Sequence, residues 1–186
     1  MPALEHTLLD SKDIHRADRM ALRGETYRLP DGRTAGPYRV LDYPDWVNAL
    51  ALTRDGDAVL VRQFRPGPKK VTLELPGGAV EAAEQSLAAA MRRELEEETG
   101  YGGGSITYLA SLSPNSASHT NRVHSFLARD VERIGDLRPD DTEFLEVVTM
   151  PLEELVDAAT AGGLDQAMHL ATLFLALRHL ESARSR

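Results

Sequence analysis

Two runs near the middle of the chain, "WVNALALT" (46–53) and "DAVLVRQF" (57–64), are nearly continuous in Val, Leu and Ala. They flank a short polar break, and the pattern predicts a β-hairpin turning at Asp55-Gly56. "KVTLELPGG" (70–78) predicts a further strand that ends at a Pro-Gly-Gly breaker. From residue 84 to 99 the apolar period changes to that of a helix, and Gly100 closes it. "SITYLASLS" (105–113) and "NRVHSFLARD" (121–130) predict strands around a polar loop, and "TEFLEVVTM" (142–150) another. Pro151 is placed to open a helix from its first position. Residues 164–182 predict an amphipathic helix with Leu164, Met168, Ala171 and Leu175 on its buried face. Residues 1–20 are polar and mixed, the pattern of a mobile start or a short helix. In 26–46, short β-type runs alternate with Pro-Asp-Gly and Gly-Pro turn signals. Strands, helix, strands and helices in that order predict an α+β or mixed-sheet α/β sandwich. Hairpin-length connections argue against a purely parallel sheet.

Within the central helix, "MRRELEEETGY" (91–101) carries Glu94, Glu97 and Glu98. With Glu94 at zero and about 100° per residue, Glu98 falls near ~40° and Glu97 near ~300°. Met91, Leu95 and Ala88 fall at roughly 60°, 100° and 120°, so the carboxylates border the apolar face. Like charges at this spacing repel by roughly 0.2–0.5 kcal/mol per pair, and anions in the last turn oppose the helix dipole. A solvated helix end is the plain alternative, but it would place its charges opposite the apolar stripe. Oxygen ligands at i, i+3 and i+4 suit Mg²⁺ or Mn²⁺, which would cancel the repulsion.

The charge balance narrows the partners. A net charge of −8 gives no basic field for sequence-independent nucleic-acid binding. An acidic chain that handles phosphates needs local arginines or bound cations. With no cysteine, disulfides and thiolate metal sites are excluded, and a cytoplasmic location is the expectation. The N-terminus shows neither the basic flank nor the apolar run of a secretory signal, and no 18-residue apolar stretch predicts a membrane span. The six histidines show no metal-ligand pairing, His124 reads as structural, and no G-x-S-x-G elbow supports covalent catalysis.

"GGAVEAAEQSLAAAMRRELEEETGY" (77–101) resembles the Nudix box, G-x5-E-x7-R-E-U-x-E-E-x-G-U, with U a bulky apolar residue. Gly78, Glu84, Arg93, Glu94, Leu95, Glu97, Glu98, Gly100 and Tyr101 stand at its fixed positions in order. Eight residues instead of seven separate Glu84 from Arg93, and Ala83 stands where glycine is common. The resemblance implies an α/β/α sandwich with a mixed sheet over 46–186, preceded by a partly β extension over 1–45 of the kind that dimerises. It also implies hydrolysis of a nucleoside diphosphate linked to another group. Glu94, Glu97 and Glu98, with the Gly78 carbonyl, would bind Mg²⁺ or Mn²⁺, and Arg93 would orient the glutamates.

"AVLVRQFRPGPKKVTLELPGG" (58–78) and "SLSPNSASHTNRVHSFLARDV" (111–131) are similar to segments flanking the box in ADP-ribose and nucleoside-diphosphate-sugar pyrophosphatases. That branch implies a homodimer and a small-molecule nucleotide substrate. Arg65, Arg62 and Arg122 are candidate phosphate contacts. Strand parity puts only one of Arg62 and Arg65 on the site's face, and Arg65 is preferred over Arg62. Two readings stand for Trp46: stacking on a base, or a core or interface aromatic. For the general base, the branch points to Glu143 in "RPDDTEFLEVV", while Glu97 and Glu98 remain alternatives. Other nucleotide substrates (dinucleoside polyphosphates, oxidised deoxynucleoside triphosphates, NADH) use the same box, and a non-catalytic nucleotide-binding module is the reading from a different class. Completeness of the glutamate set argues against that module.

Overall fold

The structure is a computed structural model that describes residues 4–138 and 144–184. The chain forms two compact units, one of residues up to Asp45 with Ser113–Arg122, the other of Trp46–Leu112 with Val123 onward.

The first unit is an antiparallel meander of β1 (Thr7–Ala17), β2 (Met20–Arg28) and β3 (Thr34–Asp42), in the order β1-β2-β3. β1 corrects the expectation of a mobile start or short helix. All eleven of its residues are exposed, so no apolar alternation marks it in the sequence. Backbone pairing with β2 builds it instead, and register breaks at Leu8/Asp10 and Asp13/His15 interrupt any period of two. The predicted Pro-Asp-Gly turn joins β2 to β3, with Gly32 in the left-handed region (φ 86°). Arg23 ties the sheet together through Glu25 and Asp42.

The second unit is built on an eight-stranded mixed sheet. Its strands are β4 (Trp46–Thr53), β5 (Asp57–Arg65), β6 (Lys70–Glu74), β7 (Gly77–Ala79), β8 (Tyr101–Gly102), β9 (Ser105–Leu112), β10 (Val123–Arg133) and β11 (Leu145–Pro151). The main path runs β11-β5-β4-β10-β8, with β6 on β5, β7 on β4 and β9 on β10. β4 and β5 are the predicted hairpin, with Gly56 at φ 89° in its turn. β4 and β10 are parallel, paired from Trp46↔Val123 to Thr53↔Val131. Strands buried on both faces read as continuous apolar runs, which is why 47–52 shows no alternation.

Alternation decides which helix each side chain meets. Val47, Ala49, Ala51 and Val59, with Phe126 and Ala128, pack against Ala90, Met91 and Leu95 of α1 (Leu87–Thr99). Leu50, Leu52, Ala58, Leu60 and Leu127 pack on the other face with Leu155 of α2 (Leu152–Thr160), Leu164, and Leu173 and Ala176 of α3 (Ala167–Arg184). The result is the expected α/β/α sandwich. Phe126 is the largest fully buried side chain of the core. Phe126→Ala is expected to cost about 3–5 kcal/mol, read as a lower urea midpoint at unchanged slope.

Two helix boundaries and the rotation of one helix differ from expectation. α1 starts at Leu87 instead of 84, because Ser86 caps it by accepting the Ala89 N–H at 3.1 Å. Pro151 ends β11 and caps α2, so it lies just outside the helix and not at its first turn. In α3, His169, Thr172, Leu173 and Ala176 are buried, whereas Met168, Ala171 and Leu175 are half-buried. The buried face carries polar residues with partners on the sheet, so apolar spacing alone set its rotation wrongly.

Candidate active site

α1 presents its acidic stripe where β7 passes its flank. Met91 and Leu95 fix the helix by burial in the core, and Gly100 ends it at φ 71°, its N–H bonded to the Glu96 carbonyl at 2.9 Å. The carboxylates therefore stand at the margin between helix and strand, as the helical spacing predicts.

Arg93 is the hub. Its Nε donates to Glu84 Oε1 at 2.7 Å, Nη1 to Glu97 Oε2 at 2.9 Å, and Nη2 to the Ala79 carbonyl at 3.1 Å. Nη2 also lies 2.9 Å from Glu94 Oε1. Burial works against the charged guanidinium and is the largest single influence. The bonds to Glu84 and Glu97 and the charge of Glu94 outweigh it, holding Arg93 above the usual arginine range. The extra residue between Glu84 and Arg93 lies before or within the first turns of α1, and Glu84 still reaches the guanidinium.

Two backbone positions complete the arrangement. The Gly77 N–H donates to Glu98 Oε2 at 2.8 Å, and Glu98 is buried. A Cβ on Gly78 would stand 2.6 Å from the Glu94 carboxyl atoms, so glycine leaves the space that the carboxylate fills.

Three carboxylates, Glu84, Glu94 and Glu97, face one guanidinium, an excess of two negative charges to which the neighbouring residue of the stripe, Glu98, adds a third. Glu84 Oε2 is buried with no hydrogen-bond partner among the described residues. An all-oxygen donor set with excess negative charge fits a hard divalent cation. Among the described residues, no three acidic or histidine side chains are already gathered on one point. Arg93 and Gly77 hold the carboxylates apart instead.

The other sequence candidates separate. Arg65 Nη2 and Nε meet Glu74 Oε2 and Oε1 at 2.6 and 2.8 Å, a bidentate pair on a buried carboxylate. Arg62 instead reaches Glu146 on β11 at 3.2 Å, on the exposed surface. Trp46 opens β4, paired with Ala79 and Val123, and is half-buried. Arg122 belongs to the first unit, where its N–H donates to Asp45 Oδ1 at 2.7 Å. Glu143 lies outside the described residues. His124 is buried in β10, beside Tyr108.

Sequence reasoning passed over Glu74, although a lone carboxylate in the apolar strand "TLELP" was a visible signal. Its side chain is 2% exposed and accepts bonds from Arg65, Thr72 and Gln63. Burial alone would raise its pKa. The bonds from Arg65, His169 and Thr72, with the Arg65 charge, hold the carboxyl well below the usual carboxylate range. Since the folded value lies well below the unfolded value of 4.5, this stabilisation is complete above about pH 5, starts to be lost as pH falls below 4.5, and goes on falling down to the depressed folded value. The thermal midpoint of the wild type is therefore expected to fall more steeply between about pH 5 and 3 than that of Glu74→Gln. Equal slopes in a pH series of melts would assign the acid sensitivity to other carboxylates.

Comparison with known proteins places the chain in a family. Residues 43–171 match the NUDIX domain. The chain is 32% identical to an ADP-ribose pyrophosphatase of Bacillus subtilis over 171 residues, 87% of this chain and 91% of that protein. It is 35% identical to an ADP-sugar pyrophosphatase of Mus musculus over 134 residues, 67% of this chain and 61% of that protein. The crystal structure of an ADP compounds hydrolase superposes with a TM-score of 0.85 at 23% identity, covering 97% of both chains, which supports the fold. Among the described residues, no helix is long and apolar enough to cross a membrane. With Glu84, Glu94 and Glu97 of the box gathered around Arg93 and the family match spanning most of its length, this chain belongs to the NUDIX domain family.

Proposed function

We propose that this protein is a pyrophosphohydrolase that cleaves ADP-ribose or a related nucleoside diphosphate sugar to a nucleoside monophosphate and a sugar phosphate. The observation that carries this reading is the carboxylate set held by Arg93 and the Gly77 N–H, joined to the similarity with an ADP-ribose pyrophosphatase over most of both chains.

Glu94, Glu97 and Glu98, with the Gly78 carbonyl, would hold Mg²⁺ or Mn²⁺. Such a cation supplies charge neutralisation at the diphosphate and a lowered pKa for the attacking water. The protein does the rest. Arg93 fixes Glu84, Glu94 and Glu97 in one orientation. The Gly77 N–H fixes Glu98. Arg65, held in one orientation by its bidentate bond to Glu74, is the candidate contact for a phosphate oxygen. Trp46 lies in register with Ala79, one residue from Gly78, which suits a base-stacking role. Glu143, Glu97 or Glu98 takes the proton of the attacking water. Arg122 is a further candidate contact to the substrate.

The reading extends to a cytoplasmic homodimer joined through the N-terminal strands. Leu8, Leu9, Ile14 and Tyr38 stand exposed on that sheet, which supports a partner there. The protein would need neither nucleic acid nor membrane.

A panel of ADP-ribose, nucleoside-diphosphate sugars, NADH, diadenosine polyphosphates and oxidised dGTP tests the substrate class. After chelation with EDTA, turnover of every member is expected to vanish and to return on adding Mg²⁺ or Mn²⁺. The highest kcat/KM is expected for ADP-ribose or a nucleotide sugar. A preference for another member by tenfold or more would retain the chemistry and overturn the substrate assignment.

A further inference from the structure

Behind Gly77 and Gly78, a buried chain of polar side chains crosses from α3 into the sheet. Ser125 Oγ and Thr172 Oγ1 are 2.7 Å apart, and Thr172 Oγ1 donates to Asn48 Oδ1 at 2.7 Å. Asn48 Nδ2 faces His169 Nδ1 at 3.4 Å, and His169 Nε2 faces Glu74 Oε2 at 3.4 Å. Glu74 in turn grips Arg65. Ser125, Thr172, Asn48, His169 and Glu74 are all buried.

The donors and acceptors fix one direction for this chain. Thr172 spends its proton on Asn48 Oδ1, so it accepts from Ser125. With its oxygen engaged, Asn48 turns an amide N–H toward His169, which makes Nδ1 an acceptor. The imidazole proton then resides on Nε2, facing the Glu74 carboxylate. That contact is long and poorly aligned, but Nε2 has no alternative partner among the described residues. A buried ring nitrogen with a carboxylate as its sole neighbour of opposite character belongs to that carboxylate.

Its place in the fold gives the chain a consequence. Glu74 and Gly77 are three residues apart, so their Cα atoms are separated by at most about 11 Å. Asn48 lies in register with Gly77, whose N–H holds Glu98. α3 thus reaches through one imidazole to the carboxylate that orients Arg65, and through one amide to β4, whose Asn48 pairs with the Gly77 that holds Glu98. A purely packing helix would bury leucine at these positions instead of histidine and threonine.

We propose that His169 is a positioning residue: through Glu74 it fixes the orientation of Arg65 and thereby sets substrate affinity at the diphosphate. The proposal rests on the pyrophosphohydrolase reading above. Its test is a mutant cycle on ADP-ribose turnover with Mg²⁺, using Arg65→Ala, His169→Phe and the double variant, beside His169→Gln and His169→Asn. His169→Phe is expected to raise KM about tenfold while kcat changes by less than about threefold. The double variant is expected to be no worse than Arg65→Ala alone, since both act on one contact. Glutamine, whose amide nitrogen can occupy the Nε2 position, is expected to recover most of the affinity, whereas the shorter asparagine is not. If His169→Phe does not fold, the contrast between glutamine and asparagine still decides. Unchanged KM, or fully multiplicative effects in the double variant, would reduce His169 to a packing role. Absence of turnover by the wild type would overturn the functional reading, and this proposal with it. Wild-type turnover with KM unmoved in the histidine variants would overturn the positioning role alone.

Discussion

Glu97→Gln is expected to lower kcat by about a thousandfold while leaving the folded protein at least as stable as the wild type. The two halves of that expectation come from one geometry. Glu97 shares the α1 stripe with Glu94, and its carboxylate is one of three facing Arg93. Removing its charge relieves like-charge repulsion worth about 0.2–0.5 kcal/mol per pair. The glutamine oxygen can still accept from Arg93 at the same position, so the hub survives. What is lost is an anionic ligand and a candidate base for the attacking water. A residue whose removal stabilises the fold and abolishes turnover is kept for chemistry. Melting curves and steady-state kinetics on one preparation check both halves. A variant that keeps activity, or loses it together with its fold, would return the stripe to a structural role.

The second large effect separates two adjacent glycines. Gly77→Ala drives a Cβ to 2.2 Å from the Val47 carbonyl oxygen and 2.7 Å from the Asn48 Cα. Those are backbone atoms of β4, so the β7–β4 pairing must open. A cost of about 3 kcal/mol is expected, with activity lost as a result. Gly78→Ala meets only the end of the Glu94 side chain, at 2.6 Å. That carboxylate can swing aside, so stability is expected to change by less than about 1 kcal/mol. The displaced glutamate no longer stands with its partners, and a misplacement of about 1 Å costs roughly a hundredfold in kcat. Urea unfolding and kcat measured side by side would show Gly77→Ala failing in both and Gly78→Ala failing in activity alone. Equal loss of stability in both would contradict the close approach at Gly78.

Local signals carried most of the fold. The β4–β5 hairpin followed from two apolar runs around Asp55-Gly56, and the α1 stripe followed from a period of 3.6. Strand parity alone separates Arg62 from Arg65. The structure gives them different partners, Glu146 on the surface and Glu74 in the interior. The unreadable parts were those built by distant residues. β1 has no buried face, so only its pairing with β2 reveals it. The rotation of α3 was misjudged because His169 and Thr172 are buried against Asn48 and Ser125. Those partners stand 121 residues from His169 in one case and 47 from Thr172 in the other. No window along the chain brings such pairs together, and a polar residue on a helix reads as exposed until its partner is known. Glu74 was overlooked for the same reason, since its value comes from Arg65 and His169 arriving on other elements.

The most direct test is product identity: ADP-ribose incubated with Mg²⁺ and either the wild type or Glu97→Gln, then resolved by anion exchange. The geometry predicts AMP and ribose 5-phosphate in equal amounts from the wild type and neither from the variant. Equal turnover by the two proteins, or no cleavage by the wild type of ADP-ribose or any nucleotide sugar, would contradict the assignment of the acidic stripe on α1 to diphosphate hydrolysis.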